Sequence, residues 1–517
     1  MAGTDRGVVD VVSKGYAFTG PVLELGALLV DGEPAPRAQV RVPLAMLNRH
    51  GLVAGATGTG KTKTLQLMAE QLSAAGVPVF LADVKGDLSG VARPGEPSDR
   101  LTARTGSIGQ DWRATGFPVE YLALGGLGAG APVRATITSF GPVLLAKVLD
   151  LNATQTSSLA LIFHFADAAG LALLDLKDLR AVVQYLISDE GQDDLRGLGG
   201  LSKATAGVIL RELVAFADGG AETFFGEPEF DTRDLLRVAP DGRGVVSCLE
   251  LSAVQDKPAL FSTFLLWLLA DLFHDLPEAG DVEKPKLVFF FDEAHLLFSD
   301  ASKAFTEQIT RTVRLIRSKG VGVFFVTQSP QDVDADVLAQ LGNRIQHALR
   351  AYTPDDAKAL RAAVSTFPTS SYDLEELLTQ LGIGEAVVTV LSERGVPTPV
   401  AWTRLRAPQS LMGPAPAEAL AAAVAASPLH ERYGTALDRE SAYERLQARL
   451  APPPAGPPAP SAPAPVPSAP RREKEQPSIV AEVVRSSAFR SFLRSAGTTL
   501  GREITRSLFG TASRRRR

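Results

Sequence analysis

The chain has 517 residues, 45% hydrophobic and 21% charged, too many for one hydrophobic core, so about two to four compact units are expected. Its 53 basic and 58 acidic residues leave a formal charge of −5; this excludes a chain coated in basic charge for wrapping nucleic acid but not a locally basic channel. A single cysteine, Cys248, excludes a disulfide framework and a thiolate metal site and points to a reducing compartment.

The first 45 residues read as a lead-in without a signal pattern. From about residue 50, short β-rich apolar runs alternate with helical patterns. The runs are "GLVAGA", "VPVFLADV" (77–84), "GVVSCLELS" (244–252), "KLVFFFDEA" (286–294), "GVGVFFVTQS" (320–329) and "RIQHALRAY" (344–352). They lack polar alternation, as strands buried on both faces do. Helical stretches such as "KTKTLQLMAEQLSAAG" and "AFTEQITRTVRLIRSKG" end near glycine. The expectation is an α/β core with a mostly parallel, helix-covered sheet, built from 46–90 and 240–412. Residues 91–239 read as an inserted, mainly helical subdomain, with a loop-rich "RPGEPSDRLTARTG", strand candidates "VEYLAL" and "VRATIT", and helices from about 141 to 218. A helical segment and linker follow over 413–478, where residues 452–470 hold ten prolines in nineteen positions. Over 479–517, Phe489, Leu493, Ala496, Leu500, Ile504 and Leu508 make one apolar stripe on a helix studded with arginines. The longest apolar run, "FLLWLLADLF" from Phe264, is shorter than the roughly 20 residues a bilayer needs. A soluble, cytoplasmic protein is expected.

"GATGTGKT", Gly55 to Thr62, follows a strand and opens a helix, the setting in which G-x-x-x-x-G-K-[ST] binds phosphate. Gly58 and Gly60 let the backbone approach closely, and Ala56, Thr57 and Thr59 supply N–H groups between them. The helix N-terminus adds positive potential, and Lys63 lies in its first turn. Lys61 is positioned to reach β- and γ-phosphates, and the Thr62 hydroxyl to ligate Mg²⁺. "KLVFFFDEAH" ends an apolar strand in two carboxylates: Asp292 suits Mg²⁺, and Glu293 suits a general base for water. Gln328, at the end of the next apolar strand, is a candidate sensor of the γ-phosphate. Arg317 in "RTVRLIRSKG" is the best candidate for an arginine offered to a neighbour's nucleotide, with Arg344 and Arg350 as further ones. Asp83 ends the second core strand; Lys85 and Asp87 after it read equally as turn and cap residues. His50 reads as a structural histidine and Cys248 as a small buried apolar residue. The ligands are ATP and Mg²⁺.

These residues identify a resemblance. "NRHGLVAGATGTGKT", "VPVFLADVKGDLSGVA", "EKPKLVFFFDEAHLLF", "VRLIRSKGVGVFFVTQSPQDV" and "LGNRIQHALRAYTP" resemble the YjgR-like family of HerA/FtsK-type P-loop ATPases, and further matches extend over about 40–410. The resemblance implies a RecA-like core with an additional strand, a hexameric ring with ATP between subunits, and the roles given above to Lys61, Thr62, Asp292, Glu293, Gln328 and Arg317. It implies a DNA translocase, since HerA relatives pump duplex DNA with a nuclease. About 45 residues precede the loop, too few for the barrel and linker that dock the nuclease in those relatives, which puts a nuclease partner in doubt.

Two other readings use the same nucleotide site or the tail. One is an ATP-gated switch or scaffold acting on a protein partner. The other places residues 479–517, with nine arginines and two glutamates, on an anionic membrane surface, a phosphate backbone or the protein itself.

Overall fold

The computed structural model describes residues 2–195, 199–280, 282–298 and 302–450. The proline-rich linker at 452–470 and the basic helix expected over 479–517 lie outside the described residues.

The strands are β1 (Val22–Val30), β2 (Glu33–Pro43), β3 (Gly51–Ala54), β4 (Val79–Asp83), β5 (Val119–Leu124), β6 (Ala131–Val133), β7 (Val246–Glu250), β8 (Leu287–Phe291), β9 (Val321–Thr327), β10 (Asn343–Gln346), β11 (Glu385–Thr389) and β12 (Ala401–Leu405). Among the described residues they form one twelve-stranded sheet in the order β2-β1-β12-β11-β10-β3-β9-β8-β4-β7-β5-β6. From β10 to β6 every pairing is parallel. From β10 back to β2 every pairing is antiparallel. The expected mostly parallel α/β sheet is therefore present, with an antiparallel extension on one side.

The absence of alternation in the central strands follows from their two covered faces. On one face Leu81, Phe290 and Phe324 join Leu65, Met68 and Leu72 of α2 (Lys61–Ala74), after α1 (Ala2–Gly15), in one buried cluster. On the other, Phe80 lies 5.0 Å from Phe289 and 6.5 Å from Phe264, ring centroid to centroid. Fully burying such a side chain is worth about 1.5–3 kcal/mol, so both layers hold the sheet.

Several expectations change. The lead-in supplies α1, β1 and β2, the last two extending the sheet. "RPGEPSDRLTARTG" holds all but the last residue of α3 (Asp99–Ser107), capped by the Ser98 hydroxyl accepting the Leu101 N–H. "VEYLAL" becomes β5 and joins β7, so this part of the presumed insertion belongs to the sheet. In "VRATIT" only Val133 is strand, because Thr136 caps a helix that starts at Ile137. In "RIQHALRAY" the strand ends at Gln346.

The chain divides into two compact units. One contains the sheet, with α9 (Pro258–Asp275), α10 (Lys303–Ile316), α11 (Ala335–Leu338), α12 (Pro354–Val364), α13 (Leu374–Gln380), α14 (Ala417–Ala425) and α15 (Pro428–Tyr433). The other is helical: α4 (Ile137–Val148), α5 (Ala153–Ala168), α6 (Leu176–Leu186), α7 (Asp189–Asp194), α8 (Lys203–Asp218) up to Ala217, and α16 (Ala442–Leu450). Its α16, from the segment expected to lead into the linker, is tied to α6. Asp178 accepts the Tyr443 N–H at 2.9 Å, and Lys177 pairs with Glu444 at 3.2 Å. Among the described residues no helix is long and apolar enough to cross a membrane.

Candidate nucleotide site

Parallel pairing brings the C-terminal tips of β3, β9, β8 and β4 to one edge. Ala54 is in register with Thr327, Phe291 with Phe325, and Ala82 with Phe291. β9 thus lies between the strand that leads into the glycine-rich loop and the strand that ends in Asp292 and Glu293. That order places Gln328 at the edge between them, which sequence spacing could only suggest.

The loop at 55–60 is held by its neighbours. The Gly55 N–H donates to the Thr327 carbonyl at 3.2 Å, and the Ala56 N–H to Ala348 at 2.8 Å. Gly60 precedes α2 with φ +112°, and a Cβ there would sit 3.3 Å from the Gly384 nitrogen. At Gly55 an added Cβ would come within 2.5 Å of the His347 Cβ. Both positions therefore need glycine. The Thr57 carbonyl accepts from Arg350 at 3.4 Å, so this arginine lies on its own loop. Thr62 and Lys63 are half-buried in the first turn of α2, and Lys63 lies in the field of Asp87 and Asp83.

Lys61 is buried and donates to the Gly55 carbonyl at 2.6 Å and the Ala56 carbonyl at 3.2 Å. Burial lowers its ammonium below the ordinary lysine range, against the pull of Glu293, Asp292 and Asp332. The loop lysine and the acidic strand tip therefore share one electrostatic environment. Beneath the loop is His347, which sequence reasoning passed over inside a presumed strand. Its Nε2 bonds the Thr64 hydroxyl at 2.9 Å, and burial, with Lys61 nearby, lowers its pKa to about 3. The neutral ring supports the loop without adding charge.

Asp292 is 1% exposed; its Oδ1 accepts the Glu293 N–H at 2.9 Å, and its Oδ2 has no hydrogen-bond partner among the described residues. Burial, reinforced by the Glu293 charge, pushes its carboxyl up to about 7. Glu293 is 5% exposed and adopts a left-handed backbone, φ 48° and ψ 47°. That conformation costs a non-glycine residue about 1–2 kcal/mol. Its Oε1 pairs with Lys85 Nζ, and its Oε2 lies 3.2 Å from His295 Nδ1. Burial acts to raise Glu293, but the Lys85 hydrogen bond and the charges of Lys85, His295 and Lys61 outweigh it and hold it below the usual range.

Asp83 has a different task from a phosphate ligand. Its Oδ1 accepts the Gly86 N–H at 2.8 Å and the Asp87 N–H at 3.3 Å, and its Oδ2 accepts Leu88 at 2.8 Å. It frames the turn after β4 and lies beside Glu250, whose pKa rises to about 7 through burial and Asp83 itself. Exposed Gln328 lines an open cleft of about 590 Å³ with His295, Phe298, Thr306, Gln331, Asp332 and Asp334. Arg317 is not brought to this edge. It follows α10 at the start of β9, whose seven residues span about 23 Å. His50 is structural: its Nε2 donates to the Val313 carbonyl at 2.8 Å, and its Nδ1 accepts the Val323 N–H at 3.1 Å.

Comparison with known proteins gives these features a lineage. The family model described as helicase HerA-like C-terminal matches residues 29–517. A protein of Methanocaldococcus jannaschii described as a probable helicase is 31% identical over 398 residues, 73% of this chain and 70% of that protein. The DNA double-strand break repair helicase HerA of Sulfolobus acidocaldarius is 21% identical over 397 residues, 75% of this chain and 70% of its own. Among solved structures, the plasmid coupling protein TrwB with a non-hydrolysable ATP analogue has TM-score 0.49 and 17% identity, over 77% of this chain and 92% of that one. With a family match spanning most of its length and a phosphate-type loop set against an acidic strand tip, the chain belongs to the helicase HerA-like C-terminal family of P-loop ATPases.

Proposed function

We propose that the protein is a Mg²⁺-dependent ATPase motor that assembles as a ring, a hexamer by resemblance, and translocates along duplex DNA. The observation that carries the reading is the convergence of Lys61, Asp292 and Glu293 at one sheet edge, with β9 and Gln328 between their strands. Lys61 exchanges its loop carbonyls for β- and γ-phosphate oxygens, and the N–H groups from Gly55 to Lys63 cradle the remaining oxygens. The unpartnered Asp292 Oδ2 and the Thr62 hydroxyl fit a divalent cation, one as a buried anionic oxygen and the other at the head of α2. Mg²⁺ bound there supplies charge neutralisation on the phosphate oxygens. Glu293 orients water in line with the γ-phosphate, and Gln328 senses its departure. Arg317, about a strand's length from its own loop, acts on a neighbouring subunit's nucleotide. DNA as the polymer is supported by the relative described as a DNA double-strand break repair helicase.

The test is ATP turnover with and without duplex DNA, at two salt concentrations. Lys61→Ala is expected to lose nucleotide binding. Glu293→Gln is expected to bind ATP but turn it over about 100-fold more slowly or worse. DNA should stimulate wild type and bind in a salt-sensitive way. A rate indifferent to DNA, without salt-sensitive binding, removes the DNA reading and favours an ATP-gated protein switch.

A further inference from the structure

The ion pair between Lys85 and Glu293 joins two strand tips that the chain separates by about 200 residues and the strand order brings side by side. β4 and β8 are parallel neighbours in register at Ala82 and Phe291, so the residues just past each strand face one another. Lys85 is presented there by the turn that Asp83 frames through the Gly86, Asp87 and Leu88 N–H groups. Glu293 arrives through its left-handed backbone, which folds the carboxylate inward to 5% exposure against Lys85 and His295.

Both lysines at this edge occupy acceptors that a phosphate would displace. Lys61 is satisfied by the carbonyls of its own loop, at 2.6 and 3.2 Å. Lys85 is paired with Glu293, and both its charge and that of Glu293 act on Lys61. The Lys85 side chain is 44% exposed, and a flexible four-carbon stem lets it swing without disturbing the core. A γ-phosphate arriving at Lys61 would repel the adjacent Glu293 carboxylate and attract Lys85.

We propose that Lys85 is a phosphate-responsive lysine: it pairs with Glu293 while the site is empty, and an arriving γ-phosphate draws it away and releases Glu293 toward water. The inference rests on the ATPase reading above. It makes Lys85 a positioning residue for Glu293 and couples the availability of the base to the presence of a third phosphate.

The experiment is a double-mutant cycle in the binding of a non-hydrolysable ATP analogue to the full chain, with ADP as control. It uses wild type, Lys85→Met, Glu293→Gln and the double variant. If binding breaks the pair, Glu293→Gln tightens the analogue about tenfold when Lys85 is present and only about two- to threefold in the Lys85→Met background, with little coupling for ADP. If Lys85 stays on Glu293, it screens the carboxylate, and the larger tightening appears in the Met background instead. Additivity or that opposite sign overturns the proposal. Lys85→Gln, tested in parallel, guards against a folding defect particular to methionine. Loss of analogue binding by wild type would defeat the ATPase reading itself; wild-type binding that depends on Lys61, with no coupling between Lys85 and Glu293, would defeat only this inference.

Discussion

At the scale of single residues, the acidic tip of β8 separates two carboxyls by environment. Burial and its neighbour push Asp292 up to about 7, whereas Lys85 and His295 hold Glu293 down. Burial thereby favours the protonated form of Asp292, while the neighbouring positive charges favour the ionised form of Glu293. For Asp292, whose value is raised on folding, the stabilising contribution is complete below the unfolded carboxylate value near 4 and is lost as pH rises through about 7. On the proposed reading, a cation held by Asp292 needs the ionised form, so its binding would release a proton below pH 7. The affinity for Mg²⁺ with a non-hydrolysable nucleotide should therefore rise toward about tenfold per pH unit below 7 and level off above it. Asp292→Asn should weaken binding and flatten the part of the slope that exceeds titration of the nucleotide itself. Calorimetry across pH 5.5–8.5 in wild type and variant, roughly bracketing that value, checks this. Identical slopes in the two proteins would contradict it. Lys61, Asp292 and Glu293 were legible because each sits in a short motif whose setting is local. Lys85 and His347 were not, since a lone lysine in a turn and a lone histidine after a strand carry no signal of what lies across the sheet.

At the scale of elements, α2 does more than open with the loop. Its buried Glu70 accepts the Gln409 N–H at 2.7 Å and the Ser410 N–H at 3.0 Å, and Gln66 donates to the Ser410 hydroxyl at 2.7 Å. The same returning segment pairs with residues after β4: Leu411 donates to the Arg93 carbonyl and Gly95 to Gln409, each at 2.9 Å. The nucleotide helix is thus clamped by chain more than 300 residues away. Glu70→Ala leaves two backbone donors without an acceptor and should cost about 2–4 kcal/mol. Denaturant unfolding would read this as a lower midpoint, and a variant within 0.5 kcal/mol of wild type, roughly the level of a neutral surface change, would show that the clamp contributes little. The runs that became central strands were legible because burial on both faces leaves an unbroken apolar stretch. "VRATIT" misled because Thr136 is a helix cap, and a β-branched residue looks alike in a strand and at a cap.

At the scale of the whole molecule, the position of Arg317 at the start of β9 leaves it remote from its own loop, and the ring reading gives it a task. Arg317→Ala should bind the nucleotide as wild type does while turnover falls about 10³-fold. Mixing Arg317→Ala chains with Glu293→Gln chains should restore part of the activity. Some interfaces would then pair an intact Glu293 from one chain with an intact Arg317 from the other. Absence of recovery in mixtures that do co-assemble would remove the trans assignment. Within the chain, the helical unit draws on two segments, 136–217 and the stretch beginning at 438. Its second part reads in sequence as a prelude to the proline-rich linker, because nothing local marks α16 as the partner of α6.

Sequence alone determined the nucleotide loop, the acidic strand tip and the α/β class. A phosphate cradle is built from eight consecutive residues and the helix they open, and a doubly buried strand declares itself by its own composition. Tertiary structure decided which tips are neighbours: β9 between β3 and β8, β4 beside β8, and therefore Lys85 on Glu293 and Gln328 at the edge. Strand order depends on where long crossovers return, and no stretch of the chain contains that information by itself.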